Sequence, residues 1–255
     1  MASMAALLGV VRYEFLMGIR RWGVWLALGL AALPIMISVS EYDDNFAPYT
    51  TLQEAGVIAL MLNLFMPVVG GIAIADRLHR DKRLGVSELL RATPTRRSGY
   101  LLGKYVGAVG AVLAPARALS LLTAAAFVAG GDSPALLAAQ VVAFLVINVP
   151  AYLFIGAFSL ACPAVMPLRV YQVLFTGYWF WGNFLNPEVF PTLAGTIVTP
   201  SGVYALTGIL AAGQRMPWDP HTPTEAVVNI ALLLLAAAVA LVSLERYLGS
   251  QEARA

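Results

Sequence analysis

His79 and His221, the single cysteine Cys162, and the short Gly-Lys stretch from Gly99 to Lys104 are where this chain offers the residue types of metal, thiol or phosphate chemistry. None of them has the company such chemistry needs. A zinc site gathers several ligands around one point, whereas the two histidines fall in segments that read as opposite faces of a membrane. One cysteine forms no intrachain disulfide and no paired redox motif, so Cys162 reads as a small apolar residue at a helix end. GYLLGK has one residue too few between its glycines, and Tyr105 stands where a phosphate-binding loop needs Ser or Thr. No Ser, His and Asp are placed for nucleophilic catalysis. The expectation is a chain with no catalytic residue, no metal ligand and no nucleotide site of its own.

The apolar stretches carry almost no ionisable groups. Arg117, two residues after Pro115, is the exception well inside one of them. It reads either as a contact for an anionic group of a substrate or lipid, or as a side chain about 24 Å along its helix from Leu101 that snorkels to the far interface. Carboxylates, the usual proton relays and ion ligands within spans, are not expected in mid-span. That argues against an ion-coupled secondary transporter.

Such residues can only be positioned by helices in a membrane. The chain is 60% hydrophobic and 12% charged, with a mean hydropathy of +0.77, where soluble domains carry about 25% charge. A bilayer core of about 30 Å asks for about 20 apolar residues per helix, and only helices or closed barrels satisfy their backbone there. Segments 22–40, 55–75, 101–130, 135–161, 169–186 and 225–245 fit, giving an all-α, six-span, single transmembrane domain over 1–255. The stretch 188–214 is apolar too, but Pro191, Gly195, Pro200, Gly202, Gly208 and Gly213 divide it into pieces too short to span. It is expected as short broken helices at the outer face. Residues 1–21, with Arg12, Glu14, Arg20 and Arg21, read as an uncleaved helix ahead of the first span. Arg12, Glu14, Arg20 and Arg21 do not gather on one face of it.

Charge then sets orientation. Of 16 Lys and Arg, 8 lie between Arg77 and Lys104, and the excess of bases marks the cytoplasmic side. With both termini cytoplasmic, only Arg215 falls outside, and the first outer loop holds Glu41, Asp43, Asp44 and Glu54 with no base. Within the basic island, 84–92 reads as a short amphipathic helix, with Val86, Leu89 and Leu90 on one side and Ser87, Glu88 and Arg91 on another. Thr93 and Pro94 stop it, and Arg96 and Arg97 follow at the mouth of the next span.

The segment from Asp76 to Gly107, in which a charged cluster leads into GVSELLRATPTRRSGYLLGKYVG, resembles the loop between the second and third spans of the permease subunits of type-2 ABC exporters, of ABCG-like architecture. Length, span number and the N-terminal helix extend the resemblance more loosely to the whole chain. The resemblance implies that 1–21 is a connecting helix and that 84–92 is a coupling helix seated in a groove of a separate ATPase. Gly85, Val86, Ser87, Glu88, Leu89, Leu90, Arg91, Arg96 and Arg97 would then form the coupling site, with Glu88 and Arg91 polar contacts and Leu89 and Leu90 buried ones.

It further implies two permeases, identical or related, working with two ATPase subunits. ATP and Mg²⁺ would sit on the ATPase, and an amphipathic or hydrophobic substrate would leave the cytoplasm of a bacterium across its inner membrane. Nucleic acid is not an expected partner. The second and fifth spans would line the path, offering Asn63, Phe65, Met66, Phe175, Tyr178 and Trp179, with Arg117 from the third. The aromatic run from Tyr178 to Trp181 reads more simply as an interfacial belt, and Phe65 and Met66 as packing. A self-contained secondary transporter and a membrane scaffold are the alternatives.

Overall fold

The computed structural model describes residues 2–41, 49–85, 97–211 and 219–253. All regular structure in them is helical: α1 (Ala2–Ile19), α2 (Trp22–Glu41), α3 (Thr51–Ala75), α4 (Arg77–Arg83), α5 (Arg97–Gly130), α6 (Ala135–Ala143), α7 (Val149–Ala161), α8 (Leu168–Phe184), α9 (Val203–Ala205) and α10 (Pro223–Glu252). Four helical stretches are long and apolar enough to cross a membrane: Thr51–Asp81, Arg97–Gly130, Ala135–Ala164 and Pro223–Gln251. A fifth exists if α1 and α2, bent by 62° between Ile19 and Trp22, act as one broken span. The expected span at 169–186 is helical as α8, but its 17 residues rise only about 26 Å.

Helix α3 is the hub. It packs on α2, α5, α6, α7 and α8, and 61% of its apolar window is buried, against 22% for α10, which leans on α7 at the edge. Its entry is fixed by a capping box: Gln53 N–H donates to the Thr50 hydroxyl and Thr50 N–H to Gln53 Oε1 at 2.8 Å. Thr222 and Glu225 repeat the device at α10, with Pro223 just inside the helix.

The α6–α7 span is interrupted by a π-helical turn, Phe144–Asn148. Pro150 has no N–H to give, so the ladder upstream shifts register and Val149 N–H reaches Phe144 O. The shift turns Asn148 into the core, where it donates to Ala59 O at 3.1 Å and to Asn63 Oδ1 at 3.3 Å.

The stretch after α8 enters the bundle and comes back. Pro200 and Ser201 reach the level of Asn63, the middle of α3, which donates to both carbonyls at 3.0 and 2.8 Å. Asn229 donates to Ile197 O and Thr199 O at 2.6 and 3.0 Å. Gly202, at φ 95°, turns the chain into α9 and a second π-helical turn, Leu206–Leu210, whose Leu206 and Leu210 lie over Gly56 nearer the start of α3. Irregular backbone at such depth is tolerated only where protein groups satisfy it, and the asparagines do so. Of the short helical pieces expected at 188–214, the described residues contain this one.

Glycine spacing explains how α1 docks. On α5, a Cβ at Gly107 would lie 2.6 Å from Val11 O, and one at Gly103 would lie 3.0 Å from Val10. Gly103 and Gly107, at the spacing of small residues that lets helices approach, thus serve close packing. Gly99, one turn earlier, faces open space.

Candidate functional site

Helix α5 has 34 residues, a rise of about 51 Å against a bilayer core of about 30 Å. Two of the helix's charged residues, Arg97 and Lys104, gather toward one end, and there α1 and α4 meet it. Leu7, Val10, Val11, Glu14, Phe15 and Gly18 recur at helical spacing on the face of α1 that meets Gly103, Gly107, Gly110 and Ala111 of α5. Arg12 and Arg20 point away and stay exposed. Glu14 alone of the charged residues of α1 turns fully inward, at 3% exposure.

What it meets is a buried ion network across three elements. Glu14 Oε1 pairs with Lys104 Nζ of α5, and Glu14 Oε2 lies 3.5 Å from Arg77 Nη1 of α4. Lys104, wholly buried, also reaches Asp81 Oδ2 at 2.7 Å. The Tyr100 hydroxyl donates to that same carboxylate, and its ring lies 5.6 Å from the ammonium. At the edge, Asp76 bridges Arg21 at 3.7 Å and Arg83 at 3.2 Å. Burying so many charges carries a desolvation cost that pairing offsets only when geometry is complementary. Such a network is a better device for fixing register among α1, α4 and α5 than for raising stability.

The network borders both ends of the segment read as a coupling helix. Asp81 and Arg83 precede it and Tyr100 and Lys104 follow it. Val86, Ser87, Glu88, Leu89, Leu90, Arg91 and Arg96 lie outside the described residues. Gly85 has φ 68°, a left-handed conformation that suits glycine, so the backbone turns sharply as it leaves α4. Arg97 opens α5, with its guanidinium toward Gly249 of α10.

The residues expected along a substrate path differ in their surroundings. Asn63 is wholly buried and spends its amide on Pro200 and Ser201. Met66, Phe175 and Trp179 are buried in the chain's own core. The indole of Trp179 donates to Leu64 O at 2.6 Å, and Phe175 stacks on Tyr171 at 5.6 Å beside Gly71. Phe65 is partly buried against Phe180, 6.2 Å away. Tyr178 is half-buried and pairs with the exposed Trp181 at 6.3 Å. The aromatic run thus divides, with Trp179 facing in and Phe180 and Trp181 facing out.

Arg117 is half-buried, donates from Nη1 to Gln140 O at 2.9 Å and lies 5.1 Å from the Phe144 ring. It holds the start of the π-helical turn, and no ion pair to a carboxylate forms at it among the described residues.

Sequence reasoning missed Glu14, Arg77, Asp81, Tyr100 and Lys104 as a unit. A signal was present: Gly103 and Gly107 flank Lys104 closely enough to bring another helix against it, and a buried lysine requires an acid on that helix.

The described residues contain no group of three or more His, Cys, Asp and Glu suited to a metal ion. No family model matches the sequence, and no curated protein matches it either.

Proposed function

We propose that this chain is the permease subunit of an ATP-driven ABC exporter. It would move an amphipathic or hydrophobic compound out of the cytoplasm as one of two permeases served by a separately encoded ATPase. The observation that carries the reading is the basic island between two long apolar helices, bounded on both sides by the buried Glu14, Arg77, Asp81 and Lys104 network. A partner seated on residues 85–91 would push on α4 and α5 at once, and the network would carry that push to α1 as one rigid unit.

In this reading α2 and α8 complete six spans, α8 tilting little and thinning the bilayer locally because of its length. Both termini are cytoplasmic, by the distribution of Lys and Arg. The chain supplies the path and the docking surface; ATP and Mg²⁺ bind the partner and supply the energy of the cycle. Ligand must bind one access state more tightly than the other, since equal affinity shifts nothing.

One observation speaks for the ion-coupled alternative: Glu14 is a buried carboxylate in a helix that, joined to α2, has the composition of a broken span. Both its oxygens are already engaged by cations, which favours a structural role for it.

Docking is tested by co-purifying the chain with an ABC ATPase encoded beside it. Glu88→Ala and Leu89→Asp are expected to lose the ATPase while the permease elutes as a single folded species. Retention of the ATPase by both variants would remove the coupling site from this account.

A further inference from the structure

Between α1, α4 and the Arg97 end of α5 lies a cavity of about 350 Å³, within the range of small-molecule sites. Along α1 it runs from Ala6 to Met17, about 16 Å. Ala6, Gly9, Val10, Met17 and Leu84 make its apolar wall, and Glu14, Asp81 and Tyr100 its polar side with Arg80. Those two carboxylates are already taken, by Lys104 and Arg77 and by the Tyr100 hydroxyl. Arg80 forms no ion pair with a carboxylate among the described residues. Among the described residues, three cations, Arg77, Arg80 and Lys104, thus face two acids, and the surplus positive charge lies on Arg80, which lines the cavity.

The surroundings are those of a membrane interface. Tyr13, which also lines the cavity, is 67% exposed, and Trp22, past the bend between α1 and α2, is 76% exposed. Both are types that settle at headgroup level. We infer that this cavity binds the phosphate headgroup of an anionic membrane phospholipid, with Arg80 as the phosphate contact and the α1 wall receiving the first part of an acyl chain. Basic clefts between helices at a membrane face suit such headgroups. The inference needs only the membrane setting and not the exporter reading, so either can fail alone.

Native mass spectrometry of the full chain in neutral detergent tests it, with phosphatidylglycerol or phosphatidylcholine of identical acyl chains added. Three variants accompany the parent. Arg80→Gln removes the charge. Gly9→Leu fills the cavity at a position whose Cβ would meet nothing within 4 Å, so the helix accepts it. Arg246→Gln removes one charge from an exposed site on α10.

The expected result is retention of one phosphatidylglycerol in preference to phosphatidylcholine. Arg80→Gln should weaken it about fivefold, the contribution of one basic side chain at an anionic surface. Gly9→Leu should abolish it, and Arg246→Gln should leave it unchanged. Equal retention of both lipids, or equal loss with Arg246→Gln, overturns the site. So does capture of inorganic phosphate at Arg80 with no lipid preference, which would make the ligand a soluble anion.

Discussion

Lys104 carries the sharpest prediction at the scale of single residues. Replacing it by Met leaves Glu14 and Asp81 facing each other in a buried site with Arg77 as the remaining partner of Glu14. Breaking a buried pair from one side costs about 3 to 5 kcal/mol, so Lys104→Met should lower the unfolding midpoint in detergent sharply. Adding Glu14→Gln should recover part of the loss, because the two positions share one network. A double variant as unstable as the sum of the singles would break the link. Tyr152 gives the opposite case. Its hydroxyl is buried with no hydrogen-bond partner among the described residues, so Tyr152→Phe should leave thermal unfolding unchanged or raise it, since nothing but a desolvated polar group is removed. Asn63 stood out in the sequence as a polar residue in an apolar helix, and that was enough to mark it for attention. Its partners were not legible, because Pro200 and Ser201 are far away in the chain and neither residue type advertises a backbone acceptor.

Among the elements, α1 is where pattern and packing part company. By composition it shows no charged face, since its two charged residues, Arg12 and Glu14, part ways: Arg12 is exposed and Glu14 is buried. The face that matters is set by the small residues of α5, and these lie some hundred residues later in the sequence. Gly107→Leu should therefore detach α1: the added side chain would start 2.6 Å from a backbone carbonyl, which cannot move aside as a side chain can. Limited proteolysis reads this out, with faster cleavage at Arg12 in the variant and the rest of the bundle intact. Equal cleavage of variant and parent would mean that α1 docks by another surface. The two π-helical turns follow the same lesson. Pro150 signals a fault in the helical ladder, but where the extra residue is absorbed depends on Asn148 finding Ala59 and Asn63.

For the molecule as a whole, hydropathy and charge made the membrane class and the all-α fold readable, because length and composition are what a bilayer selects. The number of crossings was less legible. Helix α8 is short, α2 is broken from α1 by 62°, and the stretch after α8 is apolar without being a span. In that stretch the sequence's own punctuation was informative, since its prolines and glycines mark where Asn63 and Asn229 hold irregular backbone inside the bundle. Six spans predict that, in a Cys162→Ala background, a cysteine at Asp132 reacts with an impermeant thiol reagent from outside intact cells. One at Ala253 should react only after the cells are opened. Labelling of both from the same side would replace the topology.

In the proposed exporter, this chain converts the work of an ATPase into movement of its spans. ATP hydrolysis by an ABC ATPase, where one is encoded beside this chain, is the measurement that decides it, taken alone and with this chain reconstituted in liposomes. The account predicts that the chain raises hydrolysis and that Glu88→Ala and Leu89→Asp return it to the level of the ATPase alone. An ATPase whose rate is indifferent to the chain and to both variants would contradict it, and would leave a self-contained transporter or scaffold as the better description.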